Sequence, residues 1–277
     1  MQLKAALEAA VRRLEEHDVP SPRLNAELLL RFVLGCDRAY LFAHPERELT
    51  ADEEARYDEV LAERSCHKPT QYITGHQEFW GLDFLVTPAV LIPRPETEHL
   101  VETVLELARE RERPRIVDVG AGSGCVALAL AHALPQADIQ GVDIAPEAVE
   151  VARANAARLQ LERVRFSVSD LLASVSGRDF DFVVSNPPYV GELEPEKVQR
   201  QVREFEPKIA VFSGPHGLDL YERLIPQAHA ALNPGGWLAM EIGFSIEEPV
   251  RALLGAFREV RTVPDLQGIP RVLSARK

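Results

Sequence analysis

The first 75 residues carry a helical rhythm. In "LKAALEAAVRRLEEH" and "RLNAELLLRFVLG" apolar residues recur three and four positions apart, which predicts two amphipathic helices. "TADEEARYDEVLAERS" predicts a third, with Thr50 at the N-cap and Glu53 three residues on, the capping-box spacing. No strand pattern occurs before residue 76. "EFWGLDFLV" then alternates loosely around Gly81 and predicts a β-hairpin or an extended connector. "PRPETEHLVETVLELARE" predicts a helix with Pro95 in its first turn, and Glu96 and Glu98 oppose the positive end of its dipole. From residue 114 strand and helix alternate: "RIVDVG", "CVALALAHAL", "IQGVDI", "PEAVEVARANAARLQ", "VRFSVSD" and "FDFVVSNPP". After a polar stretch come "GLDLYERLIPQAHAAL", "GGWLAMEIG" and "IEEPVRALLGAF", and two strands, "REVRTVPD" and "PRVLSARK", close the chain. Such βα alternation predicts a mostly parallel sheet covered on both faces. The expected organisation is a helical domain over 1–75, a hairpin linker over 76–93 and an α/β domain over 94–277.

Candidate chemistry gathers at strand ends. "VDVGAGSGCVALALA" leaves a strand and opens a helix. Gly120 and Gly122 allow a ligand close to the backbone, and Gly124 allows tight helix–strand contact. The order Gly120, Ala121, Gly122, Ser123, Gly124 is G-x-G-x-G, so the dinucleotide fingerprint is not met, and there is no P-loop. Asp118, just before the glycines, would repel phosphate and suits a cation. Asp143 ends the next strand, where a carboxylate in a doubly wound sheet accepts from ribose hydroxyls. Asp170 and Asn186 end the two after that. Each has a plainer reading: a structural glycine turn, a cap for the helix at Pro146, a solvated turn, a strand stop. A shared carboxyl edge is what sets the four apart.

This pattern resembles the class I methyltransferases over residues 114–277. The resemblance implies a doubly wound, seven-stranded, mostly parallel sheet and S-adenosylmethionine as methyl donor. The glycine turn would hold its methionine part, Asp143 its ribose, and Asp170 and Leu171 would flank its adenine. Asn186, Pro187, Pro188 and Tyr189 match in full the [ND]-PP-[YFW] motif of members that methylate planar nitrogens. In that role the Asn186 Oδ1 and the Pro187 carbonyl each accept a hydrogen from the target NH₂, and Tyr189 offers a flat wall. No metal is required, because a sulfonium already activates its methyl group.

The stretch "KPTQYITGHQEFWGLDFLVTPAVLIPRPETEHLVE" narrows the choice. Pro69, Gln71, Tyr72, Ile73, Gly75, Phe79, Gly81, Phe84, Val86 and the run 90–98 fit the linker of the release-factor glutamine methyltransferases of HemK/PrmC type. "EPKIAVFSGPHGLDLYERLI" resembles that family too. The resemblance implies N5-methylation of the glutamine in the Gly-Gly-Gln motif of peptide chain release factors. Because everything the donor needs lies after residue 114, the helical domain is expected to recognise the substrate. Arg94 is read as anchoring the linker, with substrate contact left open.

Composition weighs on the alternatives. The formal net charge is −12, and a nucleic-acid adenine N6-methyltransferase would need a basic channel, so direct nucleic-acid binding is not expected. A basic protein partner suits this charge better. A scaffold that retains the fold without activity would be expected to have lost Asn186 or the glycine loop, and both are intact. No run of about 18 apolar residues predicts a membrane span. Cys36, Cys66 and Cys125 show no paired spacing, which fits a reducing cytoplasm.

Overall fold

The computed structural model describes residues 1–175, 179–193 and 198–277. The described residues fall into two compact units, Met1–Gly75 with Arg200–Phe205, and His76–Gln199 with Glu206–Lys277.

The first unit is helical: α1 Leu3–Glu16, α2 Pro22–Leu34, α3 Arg38–Ala43, α4 Ala51–Ser65 and α5 Thr70–Thr74. Leu3, Leu7, Leu14, Leu29, Leu30 and Leu61 are buried in a common core, as their helical spacing requires. The capping box is present: the Glu53 N–H donates to Thr50 Oγ1 at 3.2 Å, and the Thr50 N–H donates to Glu53 Oε2 at 2.9 Å. Arg64 is buried and, among the described residues, has no carboxylate partner. Its guanidinium donates to Asn25 Oδ1 at 2.9 Å, to the Lys68 carbonyl at 3.0 Å and to Gln201 Oε1 at 3.1 Å. The short α3 and α5 are absent from the periodicity reading, because six and five residues are too few to repeat a helical pattern.

The second unit opens with a hairpin, β1 His76–Phe79 and β2 Leu82–Leu85. Trp80 and Gly81 both take positive φ, 55° and 69°, as a two-residue hairpin turn demands. A single 3₁₀ turn, Pro95–Thr97, leads into α6 Glu98–Leu107. The alternating part follows: β3 Arg115–Val119, α7 Cys125–Ala133, β4 Asp138–Asp143, α8 Pro146–Arg158, β5 Arg165–Val168 and β6 Phe180–Ser185. Then come α9 Arg200–Phe205, which belongs to the first unit, α10 Lys208–Val211, α11 Asp219–Ala231, β7 Leu232–Glu241, α12 Glu247–Leu253, β8 Arg258–Pro264 and β9 Pro270–Arg276.

The seven strands lie in the order β5-β4-β3-β6-β7-β9-β8. The first five are parallel, and β9 runs antiparallel to both β7 and β8. This is the mostly parallel, doubly wound sheet that the alternation predicts. The inner strands β3 and β6 are buried on both faces and read as near-continuous apolar runs, whereas the edge strands β5 and β8 are largely exposed. Ile116, Phe182, Val184 and Ala239 pack on one face with α6 and α7, and Val117, Val183, Leu238 and Met240 pack on the other with α11 and α12. The strand order reverses at β3, the position where such sheets open a crevice at their carboxyl edge. Among the described residues no helix is long and apolar enough to cross a membrane.

Phe166 closes the β4–β5 side of this sheet. A side chain at Gly141 would overlap its ring, and one at Gly124 would come within 2.9 Å of it. Gly141→Ala is therefore expected to destabilise the fold by about 1–3 kcal/mol, the usual cost of overpacking a core. Urea denaturation checks this, and an unchanged midpoint would mean that the ring has another place to go.

Candidate active site

The crevice is built from backbone first. The turn 120–124 joins β3 to α7, with Gly120, Gly122 and Gly124 at φ 74°, 54° and 80°, a region that disfavours any side chain. The N–H groups of Gly120 and Ala121 both donate to the Val142 carbonyl, at 2.8 and 2.9 Å. The Gly122 N–H donates to Asp143 Oδ2 at 2.8 Å, and the Ala145 N–H to Oδ1 at 2.9 Å. The turn is thus pinned to the end of β4, and Asp143 is oriented by two amides while each oxygen keeps a lone pair for a ligand. A Cβ at Gly120 or Gly122 would meet nothing within 4 Å. Both residues line the cavity at the carboxyl edge, so their missing side chains leave it open. Asn155, fully buried on α8, secures the far side of the turn. Its Nδ2 donates to the Ser123 and Leu85 carbonyls at 2.9 and 3.0 Å, and its Oδ1 accepts from the Leu85 N–H at 2.7 Å.

Asp118 is buried beneath the turn and accepts from the Ala127 N–H at 3.1 Å, which fastens the start of α7. Burial pushes its carboxyl up to about 7, the Ala127 N–H opposes this, and nearby Asp143 adds to it. A buried carboxylate without a cationic partner costs free energy, and a cationic ligand in the cavity would offset it.

Across the crevice, β6 ends at Ser185, whose hydroxyl donates to the Val119 carbonyl at 2.7 Å. Asn186, Pro187 and Pro188 follow and line the same cavity as Asp118, Gly120, Ala121, Gly122, Ser123, Asp143, Asp170 and Leu171. The Asn186 Nδ2 donates to Thr97 Oγ1 at 3.1 Å. Leu171 holds φ 51°, a strained value for leucine, at the rim.

Three expected residues behave differently. Tyr189 does not line the cavity. Its ring packs against Gly243 and its hydroxyl lies 3.4 Å from Glu241 Oε1, so it turns into the protein rather than forming a wall. Asp170 does line the cavity, but Arg223 Nη2 donates to both its oxygens, at 2.8 and 2.6 Å, so the carboxylate is not free for an adenine amine alone. Gly124 lies outside the lining and serves the packing against Phe166.

Other lining residues had no separate signal in the chain. The irregular stretch after the hairpin contributes Ala89, Val90, Leu91, Pro93, Arg94 and Thr97. Arg94 forms an ion pair with buried Glu206, which also accepts from the Ile92 N–H at 3.2 Å. The P-R-P-E-T-E run was the clue to this wall, but it marks a family pattern and not a position in space. Ile144 and Ile209 line the cavity while 47% and 59% exposed, which offers apolar surface to a flat ring. Among the described residues no group of three or more His, Cys, Asp or Glu is gathered as a metal site would require.

Known proteins resemble this chain along its whole length. Residues 5–75 match the family described as PrmC N-terminal domain, and residues 96–204 match the methyltransferase small domain. A release factor glutamine methyltransferase of Koribacter versatilis is 60% identical, covering 100% of this chain and 99% of the relative. One from Moorella thermoacetica is 44% identical over 99% of this chain and 98% of its own length. Among solved structures, a Pyrococcus furiosus methyltransferase aligns with TM-score 0.52 at 19% identity, covering 71% of this chain and 89% of that one. A T. thermophilus 16S rRNA methyltransferase in complex with AdoMet and guanosine aligns with TM-score 0.54 at 23% identity, covering 73% of this chain and 49% of that one. These two share the fold of the second unit, and the full-length identities go further: the chain belongs to the release factor glutamine methyltransferases.

Proposed function

We propose that this chain transfers a methyl group from S-adenosylmethionine to the side-chain N5 of the glutamine in the Gly-Gly-Gln motif of peptide chain release factors. The observation that carries this reading is one cavity lined by both the glycine turn with its two carboxylates and the Asn186–Pro187–Pro188 strand end. The residues fit the donor by chemistry. Asp118 would meet a cation, the turn would admit a close ligand, Asp143 would accept from ribose hydroxyls, and Ile144 and Leu171 would offer apolar surface to the adenine. When bound, the donor supplies a methyl group already activated by its sulfonium.

The residues of the chain do the rest by positioning. An amide nitrogen is a weak nucleophile because its lone pair is delocalised. Asn186 Oδ1 and the Pro187 carbonyl would accept its two hydrogens, hold the nitrogen in line and favour the positive charge that develops on it as the N–C bond forms and the sulfonium S–C bond breaks, after which the nitrogen loses one hydrogen to water as a proton. Two successive prolines fix the carbonyl direction. The direct test is to incubate the protein with labelled donor and release factor, with adenine-containing DNA as competitor, and to map the product by mass spectrometry. Label on a base or on another residue would sink the reading.

The two halves of the site are expected to separate on mutation. Asp143→Ala loses a charge-assisted contact of order 1.5–3 kcal/mol, or roughly 10- to 100-fold in donor affinity by calorimetry. Asn186→Ala spares donor affinity and lowers turnover about 10²-fold, as deletion of a transition-state hydrogen-bond partner does. Near-normal turnover at saturating substrate would remove Asn186 from the mechanism.

Donor binding should depend on pH through Asp118. Burial pushes its carboxyl up to about 7. A bound cation favours the ionised form, so binding releases a proton below that pH. Affinity therefore rises with pH up to about 7, approaching tenfold per unit at the acid end, and flattens above. The same raised pKa lowers fold stability as pH climbs from about 4 to about 7, since the native state holds the proton longer than the unfolded chain. Asp118→Asn should flatten the binding profile. Equal wild-type affinities at pH 5.5 and 7 would show that Asp118 does not meet the cation.

We further propose that the helical unit selects the protein substrate, because a glutamine side chain alone offers too little surface to be chosen in a cell. A protein beginning near residue 85 should then lose much more rate on whole release factor than on a Gly-Gly-Gln peptide. Equal losses in a folded preparation would return selection to the second unit.

A further inference from the structure

Behind the strand end a buried polar chain runs inward from the cavity wall, where Thr97 and Asn186 stand, to Glu241. Glu241, the last residue of β7, is 2% exposed. Its Oε2 accepts from Thr97 Oγ1 at 2.6 Å, and its Oε1 is the acceptor for the Tyr189 hydroxyl at 3.4 Å. Its backbone carbonyl accepts from the Tyr221 hydroxyl at 2.8 Å. Thr97, 1% exposed, is in turn the acceptor for Asn186 Nδ2 at 3.1 Å.

The direction of this chain follows from counting hydrogens. A threonine hydroxyl has one hydrogen. Here it is committed to a carboxylate, which when ionised can only accept. Thr97 therefore shows Asn186 nothing but a lone pair, and Asn186 must answer with its NH₂. The planar amide then carries Oδ1 on its other side. With the amide turned over, two NH₂ groups would face each other at the acceptor, and the target nitrogen would not be held.

We infer that Glu241 is a positioning residue for methyl transfer: acting through Thr97, it fixes which end of the Asn186 amide is presented to the target nitrogen. This rests on the acceptor role proposed for Asn186. It also gives Tyr189 a place in the motif, as a second donor that steadies the same carboxylate.

Protonation should reverse the chain. A carboxylic acid at 241 can donate to Thr97 Oγ1, which frees the threonine hydrogen to point at Asn186 and favours the flipped amide. The groups around Glu241 are Thr97 and Glu96 from the turn before α6, the hydroxyls of Tyr189 and Tyr221, Arg271 on β9 and Cys125 at the start of α7. Burial dominates and pushes the carboxyl up to about 7; Thr97, Tyr189 and Arg271 favour the charged form, and Glu96 disfavours it. Turnover at saturating donor should thus fall as pH drops through about 7. Asp118 acts on donor affinity, so saturation separates the two.

The test uses the full chain and whole release factor, with kcat and KM followed against pH and donor affinity measured by calorimetry. Thr97→Val should cut kcat roughly 10- to 100-fold, the range seen when a supporting partner of a functional group is removed, with donor affinity within about twofold of wild type. Thr97→Ser keeps the hydroxyl and should restore most of kcat. Glu241→Gln cannot ionise, so the acid limb of kcat should vanish. The role of Glu241 is overturned if Thr97→Val turns over within about twofold of wild type, if serine loses as much as valine, or if the acid limb persists in Glu241→Gln. The Thr97 pair decides the matter should Glu241→Gln not fold. A wild-type protein that leaves release factor unmodified sinks the proposed function and this role with it, whereas variants matching an active wild type sink this role alone.

Discussion

The site depends on one carbonyl oxygen. Val142 ends the apolar part of β4, and its carbonyl accepts from two successive amides of the glycine turn, Gly120 and Ala121. The carboxylate of the next residue, Asp143, accepts from the amide after those, Gly122. Three consecutive N–H groups are thereby turned to the neighbouring strand. A turn that would otherwise be free to reorient becomes part of the sheet edge. The parallel pairing of β3 with β4 makes this possible, since only strands running the same way end on the same side. Asn155 then ties the turn to β2, so the hairpin that follows the helical unit in sequence is joined to the floor of the site by the same amide side chain.

Much of this was legible in the chain because the chemistry is local in sequence. A glycine turn, the acid ending the next strand and a polar residue before two prolines are short patterns, and βα alternation alone brings them to one edge. What escaped reading depends on distant partners. Asp170 meets Arg223 and Tyr189 meets Glu241, each more than fifty residues away in the chain, and no periodicity announces such a pair. The cavity wall from Ala89 to Thr97 escaped for another reason. Its backbone is irregular up to a single 3₁₀ turn, too short to repeat a pattern, and it is held in place through Glu206 far downstream. Leu91 and Thr97 were visible as letters of a family pattern, not as parts of a wall.

The second unit concentrates buried acid at its working end. Asp118 and Glu241 are each nearly sealed from solvent, and burial raises both. Among the described residues neither is paired with a cation; Arg271, which favours the charged form of Glu241, is already paired with Asp265. A fold selected for stability alone would replace such groups with apolar ones. Their presence at the same end of the sheet fits the roles proposed above, a counter-charge for a positive ligand and a support for a neutral amide. Arg64 presents the opposite case in the helical unit. It is a buried cation whose partners among the described residues are neutral oxygens, and it organises Asn25, the Lys68 carbonyl and Gln201 around itself.

Phe166 also constrains how this sheet can vary over time. Gly124 and Gly141 press on one ring from a turn and from a strand, so none of the three positions can enlarge by itself. What is inherited there is a shared volume rather than three separate identities. A lineage that shrinks the ring to leucine gains room to place alanine at 141, where the backbone is ordinary, but not at 124, where a positive φ still asks for glycine. Drift at this corner should therefore appear as paired exchange between β4 and β5, with the glycine turn left unchanged.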